Sequence, residues 1–309
     1  MSRDHGSLVS VMDVGGTHVT AAQVDVESRA LRGGRSFREP LDGDGSADAI
    51  VSALVRCAAR LPEGGSGRWA VAVPGPFDYA RGIGRYEGVG KFDALRGVDL
   101  RAALTRLLPG VRDVGFCNDA DAFVLGEWWA GAARGHRTVV GITLGTGVGS
   151  CFLHDGRIVQ AGPGVPPEGR MHLLRHAGQP LEETVSRRAL RRAYGQATGS
   201  ASPPDVREIA LRARQGDAAA AGVFSEAFRV LGLVLGPVLA AFDPSVLVIG
   251  GSIASSWDLV SGPLREGLAD GVPARAGRVA VVGAELPAAA PLLGAAYAAT
   301  TSLRAVVEP

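Results

Sequence analysis

Two short glycine-rich segments carry residues that could bind an anion. Residues 13–17 (DVGGT) place the Asp13 carboxylate at a predicted strand end, with Gly15 and Gly16 in the turn and the Thr17 hydroxyl after it. Glycine lets the backbone approach an anion closely, so these N–H groups and this hydroxyl can donate to phosphate oxygens, while Asp13 can hold Mg²⁺ through water.

A second cradle of the same kind follows another apolar run, at residues 145–149 (GTGVG), and begins with Gly145, Thr146 and Gly147. Either segment alone is equally consistent with an ordinary hairpin turn. Two of them in matched contexts favour phosphate binding. A Walker-type loop does not occur in the sequence, and the single lysine, Lys91, lies in GVGKFD.

Asn118 and Asp119 lie where a short apolar run passes into a helical pattern. A carboxylate in that place can accept the proton of an alcohol that attacks a phosphoryl group. The alternative is a helix N-cap, which is common at strand–helix junctions, and both roles can coexist.

Residues 167–186 (PEGRMHLLRHAGQPLEETVS) concentrate further polar groups: Glu168, His172, His176 and Glu182. A helix would put the two histidines on one face, which raises the possibility of a metal site. Structural zinc sites usually have four ligands, mostly Cys and His. We therefore expect no structural zinc, and His176 on a solvated surface.

Composition excludes several classes of function. The chain has 309 residues, a net charge of +1 and 46% hydrophobic residues, so it can bury a sizeable core and has no global field for nucleic acid or an anionic membrane. Three scattered cysteines argue against a disulfide framework and suit a reducing cytoplasm. No signal peptide is recognisable, and the apolar run 230–242 is too short for a membrane span.

Strand and helix patterns alternate along the chain. Strand, glycine turn, strand at residues 7–26 is repeated at 138–160, with helical patterns at 43–61, 181–194, 204–215, 218–241 and 285–303. This predicts an α/β protein of two similar lobes with a cleft between them. We expect a small lobe of residues 1–118, completed by a C-terminal helix at 290–309, and a large lobe of residues 119–289.

The motifs DVGGT, VAVPGPFD, NDADAFVLGE, ITLGTGVGS and VLVIGG occur in an order and spacing that resemble the ROK family (repressors, open reading frames and sugar kinases). The resemblance covers nearly the whole chain. It implies two ribonuclease-H-like lobes of the actin-like ATPase superfamily, ATP and Mg²⁺ in the cleft, and phosphoryl transfer to a sugar hydroxyl. It also implies a homodimer.

The resemblance also implies roles for individual residues. Asp119 is the expected catalytic base and Asn118 the expected ligand of the sugar hydroxyls, with Gly75 of the VPGP turn beside them. The expected ligands of ATP are Asp13, Gly15, Gly16, Thr17, Gly145, Thr146, Gly147, Gly250, Gly251 and Ser252. Glu182 matches the family's sugar-contacting glutamate.

The sequence departs from the family in two segments. The cysteines of the family's zinc loop are missing, and Glu168 and His172 stand near the family's Glu-x-Gly-His with shifted spacing. The second substrate loop contains Lys91, a candidate substrate ligand. These departures leave open a hexose, an amino sugar or a C7-type cyclitol as the acceptor.

Three other functions are weighed against a kinase that acts on a primary hydroxyl. A ROK repressor would carry a helix-turn-helix before Asp13, where only a dozen residues stand. A non-catalytic sugar sensor would be expected to lose Asp119 or a phosphate loop. An acetate-kinase-like enzyme would not be expected to carry VPGPFD and NDADAF. The sequence thus predicts an ATP-dependent kinase of a hexose or hexose-like acceptor.

Overall fold

A computed structural model of the chain describes residues 7–272 and 277–307, with side chains described as far as residue 301. The strands are β1 (Leu8–Val14), β2 (His18–Asp25), β3 (Ala30–Pro40), β4 (Arg68–Val73), β5 (Phe77–Asp78), β6 (Ile83–Gly84), β7 (Asp113–Asn118), β8 (Thr138–Leu144), β9 (Val148–His154), β10 (Arg157–Ile158), β11 (Arg175–His176), β12 (Gln179–Pro180), β13 (Val246–Gly250) and β14 (Ala280–Gly283). The helices are α1 (Ala47–Ala58), α2 (Leu100–Leu107), α3 (Asp119–Ala130), α4 (Glu182–Val185), α5 (Arg187–Thr198), α6 (Val206–Arg214), α7 (Ala218–Phe242), α8 (Trp257–Gly271) and α9 (Ala290–Val307).

The chain divides into two compact units. Unit 1 runs to Ala130 and takes in the C-terminal segment from Ala288, and unit 2 comprises Gly131–Pro287. The sequence prediction put the boundary at 118/119. It falls after α3 instead because α3 packs along α9, within the unit to which α9 belongs.

Unit 1 is built on a five-stranded sheet in the order β3-β2-β1-β4-β7. The hairpin β1–β2 and strand β3 are antiparallel, whereas β4 and β7 run parallel to β1. Side chains alternate across a sheet, so Met12 and Val14 of β1 join the core that includes Ile50 and Leu54 of α1. Helix α9 packs against β1 and β4.

Helix α1 begins after Ser46, whose side chain caps its first turn. The Ser46 Oγ accepts a hydrogen bond from the Ala49 backbone N–H at 3.2 Å, as expected for a serine N-cap. The buried face of the helix is formed by Ile50, Ala53, Leu54, Cys57 and Ala58. This face holds the helix against strands β2 and β3 of the sheet.

Unit 2 repeats the sheet of unit 1. Its order is β10-β9-β8-β13-β14, with an antiparallel hairpin β8–β9 and with β13 and β14 parallel to β8. The internal repeat that the two glycine turns predicted is therefore a repeat of whole sheets. The α/β fold class is confirmed.

The apolar helix α7 lies in the core of unit 2. By length and composition α7 could cross a membrane, but 56% of its apolar stretch is buried inside the protein, which is typical of a core helix. Phe224, Phe228, Leu231 and Leu235 are all buried in it, and α8 packs along its length. The segment 230–242 of the sequence is the C-terminal half of this helix.

The predicted helix at 181–194 is two helices. Ser186 has extended backbone dihedrals (φ −75°, ψ 162°) and its Oγ accepts from the Ala189 N–H at 3.3 Å. It therefore ends α4 and caps α5. The histidines at 172 and 176 do not share a helix either, because His172 lies in a 3-10 turn and His176 in β11.

A close approach of α7 to α8 depends on glycine, and replacing Gly232 should destabilise the protein. A Cβ at Gly232 would lie 2.2 Å from the Leu264 carbonyl oxygen, so the helices would have to separate. We expect Gly232→Ala to lower the free energy of unfolding by about 2–3 kcal/mol, measured by urea denaturation.

A glycine of the same helix provides the matched control. Gly222 is exposed, and a Cβ there would meet nothing within 4 Å. Gly222→Ala should raise the free energy of unfolding by about 0.5–1 kcal/mol, because alanine is the better helix former. Equal effects of the two substitutions would contradict the packing account.

Candidate functional site

The carboxyl edge of the unit 1 sheet gathers the predicted polar residues. At this edge the parallel strand β1 carries Asp13 as its next-to-last residue, β4 leads into the turn at residues 74–76, and β7 ends in Asn118, which Asp119 follows. Asp13 pairs in register with Ala72, and Val73 with Asn118. Ligands of open α/β sheets bind beyond this edge, so the fold brings these side chains to the expected place.

The first glycine turn is held by the loop that precedes α1. The Gly15 N–H donates to the His18 carbonyl at 2.9 Å and closes the turn. The Gly16 carbonyl accepts from the Gly43 N–H at 2.9 Å, and the Thr17 carbonyl accepts from the Leu41 N–H at 3.0 Å. In a trans peptide the N–H points opposite to the carbonyl, so the Thr17 N–H faces away from Gly43. The turn thus keeps a backbone donor for an anion.

Asp13 and Asp119 influence each other's charge. Burial and the negative charge of Asp119 raise the pKa of Asp13 to about 7, against a lowering effect of Arg38. Burial also raises the pKa of Asp119, while the positive charge of Lys91 and the Ala120 N–H act in the opposite direction. Two partly accessible carboxylates beside a glycine turn form a site that a cation would stabilise.

Asn118 has its side chain fixed on both sides. Its Oδ1 accepts from the Ala120 and Asp121 N–H groups, at 2.9 and 3.2 Å, so it caps α3. Its Nδ2 donates to the Tyr79 hydroxyl at 3.0 Å. A side-chain hydrogen bond from Asn118 also acts to lower the pKa of Asp119, so the Asn118 amide is shared between Tyr79 and Asp119. Asn118 therefore has the N-cap role, and its amide is held next to Asp119.

Tyr79 joins Asn118 to the VPGP turn. Its hydroxyl donates to the Val73 carbonyl at 3.3 Å. A Cβ on Gly75 would lie 3.4 Å from the Tyr79 hydroxyl oxygen. A tyrosine that accepts from one polar group and donates to another fixes the orientation of both. Tyr79 is therefore a positioning residue for Asn118 and for the turn that contains Gly75.

Removing the Tyr79 hydroxyl should weaken acceptor binding. We expect Tyr79→Phe to raise the KM for the acceptor by about tenfold, because the Asn118 amide loses a hydrogen bond worth about 1 kcal/mol and its fixed orientation. Steady-state kinetics measure this effect. Tyr194→Phe, which removes a hydroxyl that donates to Asp217 in unit 2, is the control and should leave that KM unchanged within a factor of about two. A similar KM in both variants would contradict the role.

The second glycine turn lies at the equivalent edge of the unit 2 sheet. The Gly145 N–H donates to the Gly147 carbonyl at 3.0 Å, and the Gly145 carbonyl accepts from the Arg187 N–H at 2.8 Å. A Cβ on Gly145 would lie 3.4 Å from the Ser252 Oγ. The turns that follow the parallel strands β8 and β13 are therefore adjacent, as a shared nucleotide site requires.

Gly251 allows the turn after β13 to lie close to the end of β8. Its φ of 86° is in the left-handed region, and a Cβ there would lie 2.3 Å from the Leu144 carbonyl oxygen. Any side chain at this position would push the turn after β13 away from the end of β8. Gly250 before it is the buried last residue of β13, and Ser252 after it is exposed.

Glu182 reaches the second glycine turn. Its Oε2 accepts from the Val148 N–H at 3.1 Å and would lie 2.9 Å from a Cβ on Gly147. His172 is half-buried nearby: burial lowers the pKa of His172 and the charge of Glu182 acts to raise it. The structure therefore brings together Glu182, His172 and the second glycine turn, a link that the sequence did not predict.

The remaining polar groups of residues 167–186 lie outside this cluster. Glu168 is exposed with a left-handed backbone (φ 54°) and forms an ion pair with Arg170. His176 lies in the short β11–β12 hairpin. Among residues 7–272 and 277–307, no group of three or more His, Cys, Asp and Glu is placed to hold a metal ion. The hairpin closes on the core through the Leu181 N–H, which donates to the Leu174 carbonyl at 2.6 Å.

Asp13 fits a magnesium ion better than the polar residues of segment 167–186 do. Mg²⁺ prefers one or two carboxylates plus water and phosphate oxygens. Asp13 is a single, partly accessible carboxylate beside a glycine turn, with the Asp119 charge close enough to raise its pKa. Asp13 is the residue here that would hold the ion.

A sequence model of the ROK family matches residues 9–302. The chain belongs to the ROK family. The glucokinase of Thermotoga maritima is 28% identical over 92% of this chain and 95% of its own length, and the N-acetyl-D-glucosamine kinase of Pectobacterium carotovorum is 28% identical over 79% of this chain and 83% of its own. A ROK glucokinase from Streptomyces griseus, solved in complex with glucose and AMPPNP, is 27% identical with a TM-score of 0.77, covering 95% of this chain and 99% of that one.

Two contributors to this ROK site were missed from the sequence. Tyr79 could have been found, since a tyrosine just after the VPGP turn carries a polar handle near a predicted binding turn. Arg38, whose charge acts on Asp13, lies in an alternating strand where nothing in the pattern marks it. Arg38 pairs with Thr20, and Thr20 pairs with Asp13. These strand registers place Arg38 on the same row of the sheet as Asp13.

Proposed function

We propose that this ROK protein is an ATP-dependent kinase that phosphorylates a hydroxyl, most simply a primary one, of a hexose or hexose-like acceptor. The observation that carries the proposal is the carboxyl edge of unit 1, where Asn118, Asp119 and the glycine turn after Asp13 meet on one sheet. The family's glucokinases and N-acetyl-D-glucosamine kinases support a sugar acceptor and ATP as the donor.

Asp119 is proposed as the general base. The acceptor hydroxyl loses its proton to the Asp119 carboxylate as its oxygen attacks the γ-phosphorus and the bond to the ADP oxygen breaks. The raised pKa of Asp119 increases its affinity for that proton. Because the transition state is loose, holding the acceptor in line contributes more than the strength of the base. Asn118, fixed by Tyr79, supplies that positioning.

The glycine turns are proposed to bind ATP. The first turn, with Gly15, Gly16 and Thr17, and the second, with Gly145, Thr146 and Gly147, offer backbone N–H groups to the phosphates. Gly250, Gly251 and Ser252 are proposed to lie against the adenosine. A Mg²⁺ ion held by Asp13 would neutralise phosphate charge, which is the chemistry the ion supplies.

The identity of the acceptor depends on unit 2. Glu182 uses one carboxylate oxygen on the Val148 N–H, so its other oxygen is proposed to bind an acceptor hydroxyl, with His172 beside it. Glu168 is the weaker candidate because Arg170 already pairs with it. The changed substrate loop and the missing zinc-loop cysteines favour testing amino sugars and C7-type cyclitols alongside glucose.

An ADP-release screen over hexoses, amino sugars, anhydro sugars and cyclitols tests the proposal. Turnover with at least one acceptor, abolished in Asp119→Asn, is expected. ATP binding without turnover on any acceptor would instead support a sensor, and product analysis by NMR would identify the phosphorylated hydroxyl.

We also propose a cytoplasmic homodimer. Among the residues that the structure describes, Cys57, Cys117 and Cys151 form no disulfide, as suits a reducing compartment. The family resemblance supports the dimer, and sedimentation velocity tests it.

A further inference from the structure

Lys91 occupies an unusual position for the single lysine of a chain with 32 basic residues. It lies between Gly90 (φ 73°) and Phe92 (φ 63°), in the loop between β6 and α2. A left-handed backbone at a phenylalanine is uncommon and persists only where the surroundings enforce it. The loop therefore holds Lys91 in a defined place.

Two contacts enforce that place. The Phe92 side chain is fully buried, with its ring centroid 5.4 Å from that of Tyr86. The Phe92 N–H donates to the Gly43 carbonyl at 2.6 Å, and the Gly43 N–H donates in turn to the Gly16 carbonyl at 2.9 Å. The residue after Lys91 is thus tied through Gly43 to the first phosphate-binding turn.

The Lys91 side chain extends over that turn. Its Cδ lies 3.4 Å from where a Cβ on Gly16 would be, and its positive charge acts on the Asp119 carboxyl. The ammonium group is therefore beside both the glycine turn and the proposed base. Among residues 7–272 and 277–307, no ion pair joins Lys91 to a carboxylate, so its charge is not already neutralised at short range.

We infer that the Lys91 ammonium binds the phosphoryl group that is transferred, rather than the sugar. A compact cation held on the phosphate turn next to Asp13 and Asp119 can donate to a non-bridging γ-oxygen. It stays protonated throughout: the acceptor oxygen forms the new bond to phosphorus, its proton goes to Asp119, and the bond to the ADP oxygen breaks. Sugar hydroxyls, being neutral, would gain less from a cation there.

This inference rests on the proposed kinase function and can be tested without knowing the acceptor. Lys91 is the one side-chain amine of the chain, so an amine-reactive ester followed by peptide mass spectrometry reports on it alone, with Lys91→Arg as the blank. We expect Mg²⁺·AMPPNP to slow labelling of Lys91 by at least about tenfold, and Mg²⁺·ADP, which lacks the γ-phosphate, to slow it by less than about twofold.

The outcomes separate the two levels of the proposal. Protection by the acceptor alone, or equal protection by ADP and AMPPNP, overturns the assignment of Lys91 and leaves the kinase proposal standing. AMPPNP that binds in calorimetry without protecting Lys91 does the same. If AMPPNP does not bind, both proposals fail.

AMPPNP could also protect Lys91 from labelling through a conformational change at a distance. The kinetics of Lys91 variants distinguish this case from direct contact with the γ-phosphate. Lys91→Met, similar in length but uncharged, should lower kcat by about 10²–10³ with the KM for the acceptor changed by less than about threefold. Lys91→Arg should recover at least about tenfold of that loss. Arg96→Met, in the same segment and paired with Glu87 at the surface, is the control and should leave kcat unchanged. A raised acceptor KM with normal kcat in Lys91→Met would overturn the inference.

Discussion

Replacing Asp119 by asparagine is expected to lower kcat by about 10²–10⁴ and to leave the protein folded. Asparagine keeps the size and the oxygen that accepts the Ala120 N–H at 2.9 Å, so the start of α3 is retained. The substitution removes the negatively charged carboxylate that is proposed to take the proton from the hydroxyl of the acceptor. Steady-state ADP release with saturating acceptor measures the effect, and circular dichroism verifies the fold.

Asp121→Asn is the matched control, since Asp121 lies one position beyond Ala120 in the same first turn of α3. Its side chain has no proposed part in proton transfer, so its kcat should stay within about threefold of wild type. A normal kcat in Asp119→Asn would remove Asp119 from the mechanism. An equal loss in both variants would indicate a general effect of charge at the helix terminus.

Replacing Asp13 by asparagine is expected to move stability and activity in opposite directions. Burial and the charge of Asp119 raise the pKa of Asp13 from 3.8 to about 7, so an ionised Asp13 is unfavourable in the folded protein without bound metal. Asp13→Asn should therefore be more stable than wild type at pH 8, by about 2–4 kcal/mol. Activity should fall, because the proposed ligand of the ion is gone.

The pH dependence gives the sign of this effect. Below pH 3.8 the carboxyl is protonated in both the folded and the unfolded chain, and wild type and variant should be equally stable. As the pH rises to about 7, the unfolded chain ionises first, so the folded wild type loses stability relative to the variant. Above pH 7 the difference should be constant.

Urea denaturation from pH 4 to pH 8, without divalent cations, measures the difference. Asp44→Asn, which changes an exposed aspartate in the loop before α1, should differ from wild type by less than about 0.5 kcal/mol at every pH. A stability difference that did not grow between pH 4 and pH 7 in Asp13→Asn would contradict the raised pKa.

The turns of this protein were predictable because glycine marks them directly. Apolar runs that end at Asp13, Leu144 and Gly250 are strands in the structure, and the segments after them lie at the carboxyl edge of the sheet to which each strand belongs. Strand registers and the order of the strands in each sheet were not predicted from the sequence. The repeat was informative because both sheets pair a hairpin with parallel strands.

The parts that the sequence did not predict depend on tertiary contacts. Ser186 interrupts a helical pattern because its hydroxyl caps a new helix, and the period of the apolar residues continues across the break. The bond from the Val148 N–H to Glu182 joins residues far apart in sequence. Compact unit 1 extends past the predicted 118/119 boundary for a similar reason, since the partner of α3 lies near residue 300.

The packing of α3 against α9 also dictates when unit 1 can form during synthesis. A Cβ on Gly126 would lie 1.9 Å from the Ala290 carbonyl oxygen, so this surface of α3 is shaped for a helix that leaves the ribosome only after the whole of unit 2. Unit 2 is continuous in sequence and can fold as soon as it is complete. Unit 1 cannot complete its core until α9 has been synthesised. The docking of α9 onto α3 is therefore its late folding step.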